Sequence, residues 1–434
     1  MGFSSDGAAL MVGKQNGVAY RLKSDSPYML DMHCTAHRLA LSSLDAAKSV
    51  KEVRYFESML HTLHTYFSRS SKRLEHLRAW QDVLEDPKIK VLPVHQVRWL
   101  SFANCVTNVR RTLLSLLKSL ESDIDDDVMA SSLFSAMSAY KFLFLTHFFS
   151  DIMADIATVS RQFQKRDISY GDLKQSLSAI CDSIEQQYLV ENANYGTHLR
   201  EFLDTYENAE EFHGIEIKRS HRDVRLLVAV SEFADILRNS LIARFPKLDI
   251  WEAMSIFCPD TFPKSVKEKA NFGLKKLTVL TDHFGRQRGS CAPPINANEA
   301  KREWPLFKNH MFALSEGNEN AEDILTGASL AEKMIRSGRI REEFPQMIKL
   351  MTICRVLPVS SVECERGFSV QNLIKTRTRC SLNIELLDEL MRISINGPKL
   401  QAFNPLPIYR MWRDKKQRHI FVNTQKQDKL VEKI

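Results

Sequence analysis

A cysteine and a histidine that lie close together in the sequence could hold a metal ion. Cys34 and His37, separated by two residues, are ligand types that structural zinc sites use. Such a site needs four ligands, however, and no second pair follows at a suitable spacing. His33 adds one donor without completing the set. Zinc binding is therefore one open interpretation of this segment.

Carboxylates near the two ends of the chain form a second group with chemical potential. Asp6 lies in the small-residue turn SSDGA, ahead of a helix-like segment, so it is either a turn or helix-capping residue or a metal ligand. Ser360 and Glu363 fit the S-x-x-E capping box that starts a helix. Glu365 lies about 200° around that helix from Glu363, so these two carboxylates cannot share one site.

Basic residues are concentrated towards the C-terminus. The whole chain carries 60 − 53 = +7 charges, and residues Arg410 to Ile434 contain eight Lys or Arg against three Asp or Glu, which gives 8 − 3 = +5. Lys375, Arg377 and Arg379 form another basic segment. Both regions could neutralise the phosphates of a polyanion. A solvated tail is the alternative interpretation.

The composition limits the class of protein. At about 150 residues per domain, 434 residues suffice for two to three domains. Hydrophobic residues make up 44% and charged residues 26%, with only 15 Gly and 14 Pro, as in soluble globular domains. These values exclude a peptide hormone, a disulfide knot, a collagen and a wholly disordered chain. The eight cysteines form no C-x-x-C motif, which favours reduced thiols in the cytosol or nucleus.

The apolar pattern predicts a mainly helical protein. Residues 28–34 (YMLDMHC) predict a short strand, and from residue 36 onward apolar residues recur at helical spacing, as in the helix predicted across Val106 to Leu120. We find no hairpin signal between Val53 and Leu350. The apolar stretch Ala136 to Val159 contains charged residues that interrupt the run of about 20 apolar residues required for a membrane span. It predicts a buried or amphipathic helix.

Breaks in the pattern predict the connections. Residues 285–298 combine Gly, Pro-Pro and Asn, and are the best candidate for a linker. The acidic run Glu121 to Asp127 predicts a solvated loop or helix end, with a metal or partner site as the alternative. A helix is predicted from about Asn383 to just before Gly397. One stripe of this helix carries Ile384, Leu387 and Met391.

Four segments, in this order along the chain, together resemble the hAT-type transposases. They are GFSSDGAALMVGKQNGV near the start, HCTAHRLAL from His33, VRWLS from Val97 and SSVECERGFS from Ser360. The last segment runs into a region that is similar to the family's C-terminal dimerisation segment. In the third, Val97 replaces the threonine of the family's T-R-W motif.

The resemblance implies an RNase H-like core interrupted by a large helical insertion, in which three carboxylates hold two divalent metal ions for DNA cleavage and strand transfer. Asp6 resembles the second carboxylate and Glu365 the third, so both are the implied catalytic and metal-binding residues. The first has no counterpart before Asp6. We therefore expect no bound cofactor, and Mg or Mn only in a complete, catalytic parent protein. The chain is either part of such a parent or a truncated, domesticated descendant.

The resemblance also assigns roles to residues outside the carboxylate set. Cys34 and His37 become a packing and hydrogen-bonding pair of the core. Arg98 and Trp99 resemble residues associated with DNA at the cleaved end, although Trp99 could equally be buried. Lys375, Arg377 and Arg379 are further DNA-binding candidates. The implied dimerisation residues are Phe368, Ile384, Leu387 and Met391.

Together these inferences predict the organisation and function. The fold is mainly α, with an incomplete RNase H-like α/β core in residues 1–50 and 341–400, an all-α insertion in 51–340 and a basic tail in 401–434. The chain is predicted to be a nuclear protein that binds DNA and forms at least a dimer, without transposition activity, membrane or small-molecule substrate. A fragment of an active transposase and a protein-interaction scaffold in transcriptional regulation or protein modification are the alternatives.

Overall fold

The chain forms two compact units in a computed structural model that describes residues 2–94, 99–165, 168, 170–245, 248–316 and 325–415. The first unit is Met1–Val362 and the second is Glu363–Ile434. Helices account for 71% of the structure and strands for 4%, which confirms the prediction of a mainly α protein.

A small β-α-β unit opens the first unit. Strand β1 (Gly2–Ser5) pairs in parallel with β2 (Leu30–His33), with Gly2 opposite Leu30 and Ser5 opposite His33. Helices α1 (Ala9–Val12) and α2 (Val18–Asp25) connect the strands. Strand β2 confirms the strand predicted in residues 28–34. Because the strands are parallel, their carboxyl ends share one edge, where Asp6 follows β1 and Cys34 follows β2.

A long helical region with one apolar core follows. Its helices are α3 (Thr35–Ser49), α4 (Lys51–Ser68), α5 (Ser71–Val83), α6 (Trp99–Arg111), α7 (Leu113–Glu121), α8 (Val128–Met137), α9 (Tyr140–Phe163), α10 (Tyr170–Ile184), α11 (Thr197–Tyr206) and α12 (Leu226–Arg244). A π-helical turn, Glu185–Leu189, extends α10, and a 3-10 turn, Asp223–Arg225, precedes α12. The buried apolar cluster of this region extends from Leu39 to Leu241.

Helix α9 lies at the centre of that cluster. Fifteen of its 24 residues are buried. It is long and apolar enough to cross a membrane, but 72% of its most apolar window is buried inside the protein, as in the core helix of a soluble protein. This burial confirms the buried helix predicted around Ala136 to Val159.

Two local features of this region differ from the prediction. The helix predicted across Val106 to Leu120 is two helices, because Thr112 leaves the helical conformation between α6 and α7, and its hydroxyl donates to the Asn108 carbonyl at 2.9 Å. A short hairpin, β3 (Glu211–Phe212) and β4 (Ile215–Glu216), was also missed. Its turn places His213 and Gly214 at positive φ, 50° and 77°. Strands of two residues are too short to show the alternation that predicts a strand.

A second apolar cluster completes the first unit. Its helices are α13 (Asp249–Ala253), α14 (Val266–Asn271), α15 (Leu274–Phe284), α16 (Ala297–Glu316), α17 (Gly327–Arg336), α18 (Gly338–Glu343) and α19 (Pro345–Val356), with 3-10 turns at Met254–Phe257 and Pro259–Thr261. Tyr28, Leu30 and Met32 pack in this cluster rather than with the helices that follow them in sequence. The chain thus leaves this core after β2 and returns to it near α13. The predicted domain limits remain predictions.

The predicted linker at residues 285–298 lies inside the first unit. The Tyr28 hydroxyl donates to the Arg286 carbonyl at 2.8 Å and accepts from the Arg288 backbone N–H at 3.1 Å. Ile295 in the same segment is only 2% exposed. Glycine and proline therefore mark a packed turn here and not a boundary between domains.

The second unit contains three helices, α20 (Val362–Ile374), α21 (Ile384–Asn396) and α22 (Leu406–Asp414), and a 3-10 turn, Leu400–Ala402. Helix α21 begins after Asn383, whose side chain accepts from the Leu386 N–H at 2.8 Å, and it ends before Gly397 as predicted. Helix α20 begins at Val362, so its N-cap position is Ser361 and not Ser360.

Candidate functional site

Asp6 lies at the carboxyl end of β1 and is exposed to solvent. Its Oδ1 accepts from the Ala8 backbone N–H at 3.2 Å, which closes a turn around Gly7. The turn uses one lone pair of the carboxylate and leaves the others open to solvent. The side chain therefore acts as a turn residue, which is one of the two roles predicted from the sequence. It still has oxygens free to bind a cation.

His33 is the neighbour of this turn, although the sequence suggested it only as one more possible zinc ligand. It ends β2, opposite Ser5, and a Cβ added at Gly7 would come within 2.6 Å of its Cε1. Burial lowers the pKa of His33 to about 4, with help from Arg38, while Asp6 acts in the opposite direction. His33 is therefore neutral at pH 7. The position of His33 at the end of the predicted strand was the sequence signal that could have placed it near Asp6.

A buried polar atom lies next to Gly7. The Nε2 of His33 is buried and has no hydrogen-bond partner among the described residues. The His37 ring lies 5.5 Å from the His33 ring, measured between centroids. Asp6 thus follows β1, His33 ends β2 and His37 lies in the first turn of α3.

Cys34, at the start of α3, contacts the segment that precedes α20. Its side chain is fully buried, and its Sγ accepts from the Ser361 backbone N–H at 3.3 Å. The Thr35 N–H donates to the Val359 carbonyl at 3.3 Å. Among the described residues no three His, Cys, Asp or Glu side chains lie close enough to hold a metal ion. In this structure the Cys34 thiol therefore packs and accepts a hydrogen bond.

Glu365, the second implied metal ligand, lies in the second unit. It is exposed in the first turn of α20, and Glu363 two residues earlier pairs with Arg366. Asp6 belongs to the first unit. Both are oxygen donors of the kind that Mg²⁺ and Mn²⁺ prefer. Two carboxylates alone do not complete the three-carboxylate set implied by the resemblance.

The predicted DNA-binding residues fall into two groups. Arg98 lies outside the described residues, and Trp99 begins α6 with a side chain that also lies outside the description. Lys375, Arg377 and Arg379 are exposed in the connection between α20 and α21. No ion pair engages these three within the described part of the chain, whereas the arginines of the adjacent helices pair with carboxylates. Those pairs are Arg366–Glu363, Arg392–Asp388 and Arg413–Asp414.

The predicted dimerisation residues differ in exposure. Phe368 is 65% exposed and Ile384 84% exposed, whereas Leu387 is buried and Met391 is half-buried. Across residues 363–415, eleven large apolar side chains are exposed, and Leu387 is the one buried large apolar residue. Those exposed are Phe368, Leu373, Ile384, Leu386, Ile393, Ile395, Leu400, Phe403, Ile408, Met411 and Trp412. This density of exposed apolar surface is typical of an interaction site.

No protein-family model matches the chain.

Proposed function

We propose that this chain is a nuclear, hAT-transposase-derived protein that binds DNA and associates with itself through residues 363–415. Its core would be an incomplete RNase H-like fold, with residues 51–340 as the helical insertion. Two features support that core: a carboxylate follows the first of two parallel strands, and Tyr28 to Met32 share an apolar cluster with residues that lie more than 200 positions later.

The apolar surface of α21 is the observation that carries the proposal of self-association. At about 100° per residue, its apolar side chains cover roughly 200° of the helix circumference, from Ile393 round to Ile395. A helix that packs on one side needs a stripe of about 100°. Leu387 uses part of the surface, while Ile384 and Ile393 remain 84% and 69% exposed. A second copy of the chain would bury the remainder.

The basic connection between α20 and α21 supports the proposal of DNA binding. Three exposed cations without carboxylate partners in the described residues, Lys375, Arg377 and Arg379, lie within five positions. Cations that are already paired gain little from a phosphate, whereas unpaired cations release counterions from the DNA when they bind it. A dimer would present this segment twice, which would raise the effective local concentration for one duplex.

A salt titration of DNA binding tests the proposal. The triple variant Lys375→Gln, Arg377→Gln, Arg379→Gln should reduce the slope of log K against log salt by about 2 to 3 units, because each phosphate contact contributes about 0.9. The matched control, Lys48→Gln, Lys51→Gln, Arg54→Gln, removes three exposed cations from α3 and α4 and should leave the slope unchanged. Absence of DNA binding by the unmodified protein would exclude this function and favour the scaffold alternative.

DNA cleavage is a second candidate function, favoured by the position of Asp6, an exposed carboxylate that follows β1 at the edge where the two parallel strands end. Asp6 would supply one carboxylate ligand for Mg²⁺ or Mn²⁺, and Glu365 is the other ligand that the resemblance implies. The metals would stabilise the attacking and leaving oxygens of the phosphodiester. The binding assays can report this activity as well. Nicking that requires Mg²⁺ or Mn²⁺ and is lost in Asp6→Asn would favour the enzyme over the DNA-binding descendant.

A further inference from the structure

The acidic run Glu121 to Asp127 plays no part in the function proposed above. Glu121 ends α7, and residues 122–127 form the connection between α7 and α8, as predicted for a solvated loop or helix end. Three of its carboxylates have structural partners: Glu121 pairs with Lys118 at 2.7 Å, Asp123 accepts from the Tyr66 hydroxyl at 3.3 Å, and Asp127 accepts from the Met129 N–H at 2.9 Å as the cap of α8. Two others, Asp125 and Asp126, are exposed and have no such partner among the described residues.

Ser122 is an exposed hydroxyl at the start of this loop. It is the C-cap residue of α7. Its Oγ lies 3.4 Å from the Nε2 of His76 and accepts from the indole N–H of Trp80 at 3.3 Å. The Nδ1 of His76 lies 3.2 Å from Asp123 Oδ1.

We propose that Ser122 is a phosphorylation site for a serine/threonine kinase whose substrate groove is basic. The phosphate would be added to the Ser122 hydroxyl, and the neighbouring carboxylates would determine which class of kinase recognises it. Four aspartates follow within five positions of Ser122, and the two without partners stand at the third and fourth. A basic groove is complementary to that pattern. Two cations that contact the acidic run are already paired, Lys118 with Glu121 at 2.7 Å and Arg73 with Asp127, so they would not favour a kinase that selects basic substrates.

The reaction is an ordinary phosphoryl transfer from ATP. The Ser122 oxygen forms a bond to the γ-phosphorus, the bond from that phosphorus to the oxygen bridging to the β-phosphate breaks, and ADP leaves with that electron pair. The hydroxyl proton passes to a carboxylate of the kinase. Ser122 is accessible for this step, whereas Ser119 one turn earlier is 1% exposed and Ser115 is fully buried.

The modification would alter the junction between α5 and α7. The Ser122 hydroxyl now donates to the Lys118 carbonyl at 3.0 Å, and a phosphate ester has no hydrogen to replace that bond. The phosphate brings about two negative charges to the C-terminal end of a helix, where the dipole disfavours them, and beside Asp123. The Trp80 N–H, which now donates to the Ser122 oxygen, is the donor that could face it. Ser122 phosphorylation would therefore loosen the contact of Asp123 with Tyr66.

The test is phosphorylation of the purified full-length chain with ATP, Mg²⁺ and a recombinant acidophilic serine/threonine kinase. We expect one phosphoryl group in the intact mass, located at Ser122 by fragment spectra and absent from Ser122→Ala. The double variant Asp125→Asn, Asp126→Asn should lower the initial rate at least about tenfold, because it removes only the two unpartnered charges. The matched control, Asp204→Asn with Glu207→Gln, removes two exposed charges from α11 and its C-cap and should keep the normal rate.

Three results would overturn the inference. The first is the absence of phosphate at Ser122. The second is an initial phosphorylation rate that does not change when Asp125 and Asp126 are neutralised. The third is an equal rate of phosphorylation by a kinase that selects basic substrates. A folded-state control, the far-ultraviolet circular dichroism spectrum of each variant, accompanies the assay. The outcome is independent of DNA binding, which the same protein samples can report separately.

Discussion

Helices α9 and α21 are both rich in apolar residues, yet they have opposite environments. Fifteen of the 24 residues of α9 are buried, whereas α21 buries Leu387 alone among its 13 residues. Phe149 of α9 meets Phe56, Phe102 and Phe233 at ring-centroid distances of 5.1 to 5.6 Å. The difference shows that apolar composition does not decide burial. What decides it is whether the same chain supplies the surface that covers the helix.

The largest expected effect is loss of stability in α9. Phe149→Ala should lower the free energy of unfolding by roughly 3–5 kcal/mol, because it leaves a cavity among three other rings. Ile393→Ala, in α21, should change the stability of the dilute monomer by less than about 0.5 kcal/mol, since its side chain is 69% exposed. Urea unfolding followed by circular dichroism measures both. Similar losses in the two variants would contradict the comparison.

The next effect concerns self-association. Ile384→Asp with Ile393→Asp should weaken self-association at least about 100-fold, because each charge would lose its hydration in a buried interface. Light scattering after size-exclusion chromatography, over a range of protein concentrations, measures it. Arg392→Glu is the control: it also changes the net charge by two but lies on the polar side of α21, paired with Asp388 in the unmodified protein. A double variant that still self-associates would show that another surface holds the copies together.

The smallest expected effect is a pH dependence of the free energy of unfolding, which arises from His147 in α9. Burial, foremost, lowers the pKa of His147 to about 4, and its ring stacks on Phe202 at 4.7 Å. The unfolded chain, with a pKa near 6.5, binds the proton more tightly. Stability is therefore fully present above about pH 6.5 and is lost as the pH falls towards 4.

His147→Phe isolates this contribution, since phenylalanine keeps the stacking and does not titrate. Between pH 7 and pH 5 the unmodified protein should lose about 2 kcal/mol more stability than the variant. His33, whose pKa is lowered in the same direction, titrates in both proteins and cancels in the difference. Parallel stability curves for the two proteins would refute the assignment to His147.

Local sequence signals predicted several elements correctly. The strand in residues 28–34, the buried helix around Ala136 to Val159 and the end of α21 before Gly397 were all predicted, because strand alternation, apolar spacing and helix stop signals act within a few residues. The break at Thr112 and the hairpin around Gly214 were not predicted. The first interrupts an otherwise regular apolar pattern, and the second has strands of two residues.

The candidate site was predicted only in part, for a related reason. Asp6 and Cys34 were singled out from their motifs. The contact of His33 with Gly7, however, depends on the pairing of β1 with β2, whose residues are 28 positions apart in the register. The same holds for the Cys34 thiol, which accepts from Ser361 across 327 positions. No local pattern reports such pairs.

The sequence by itself determined the mainly helical class, the strand at residues 28–34 and the positions of the basic segments, because propensity, capping and charge depend on neighbours along the chain. Only the tertiary structure decided that α9 is covered while α21 is exposed, that residues 285–298 are packed against Tyr28, and that His33 is neutral beside Asp6. Burial and desolvation depend on which distant surfaces meet. That information lies in the fold as a whole and not in any one segment.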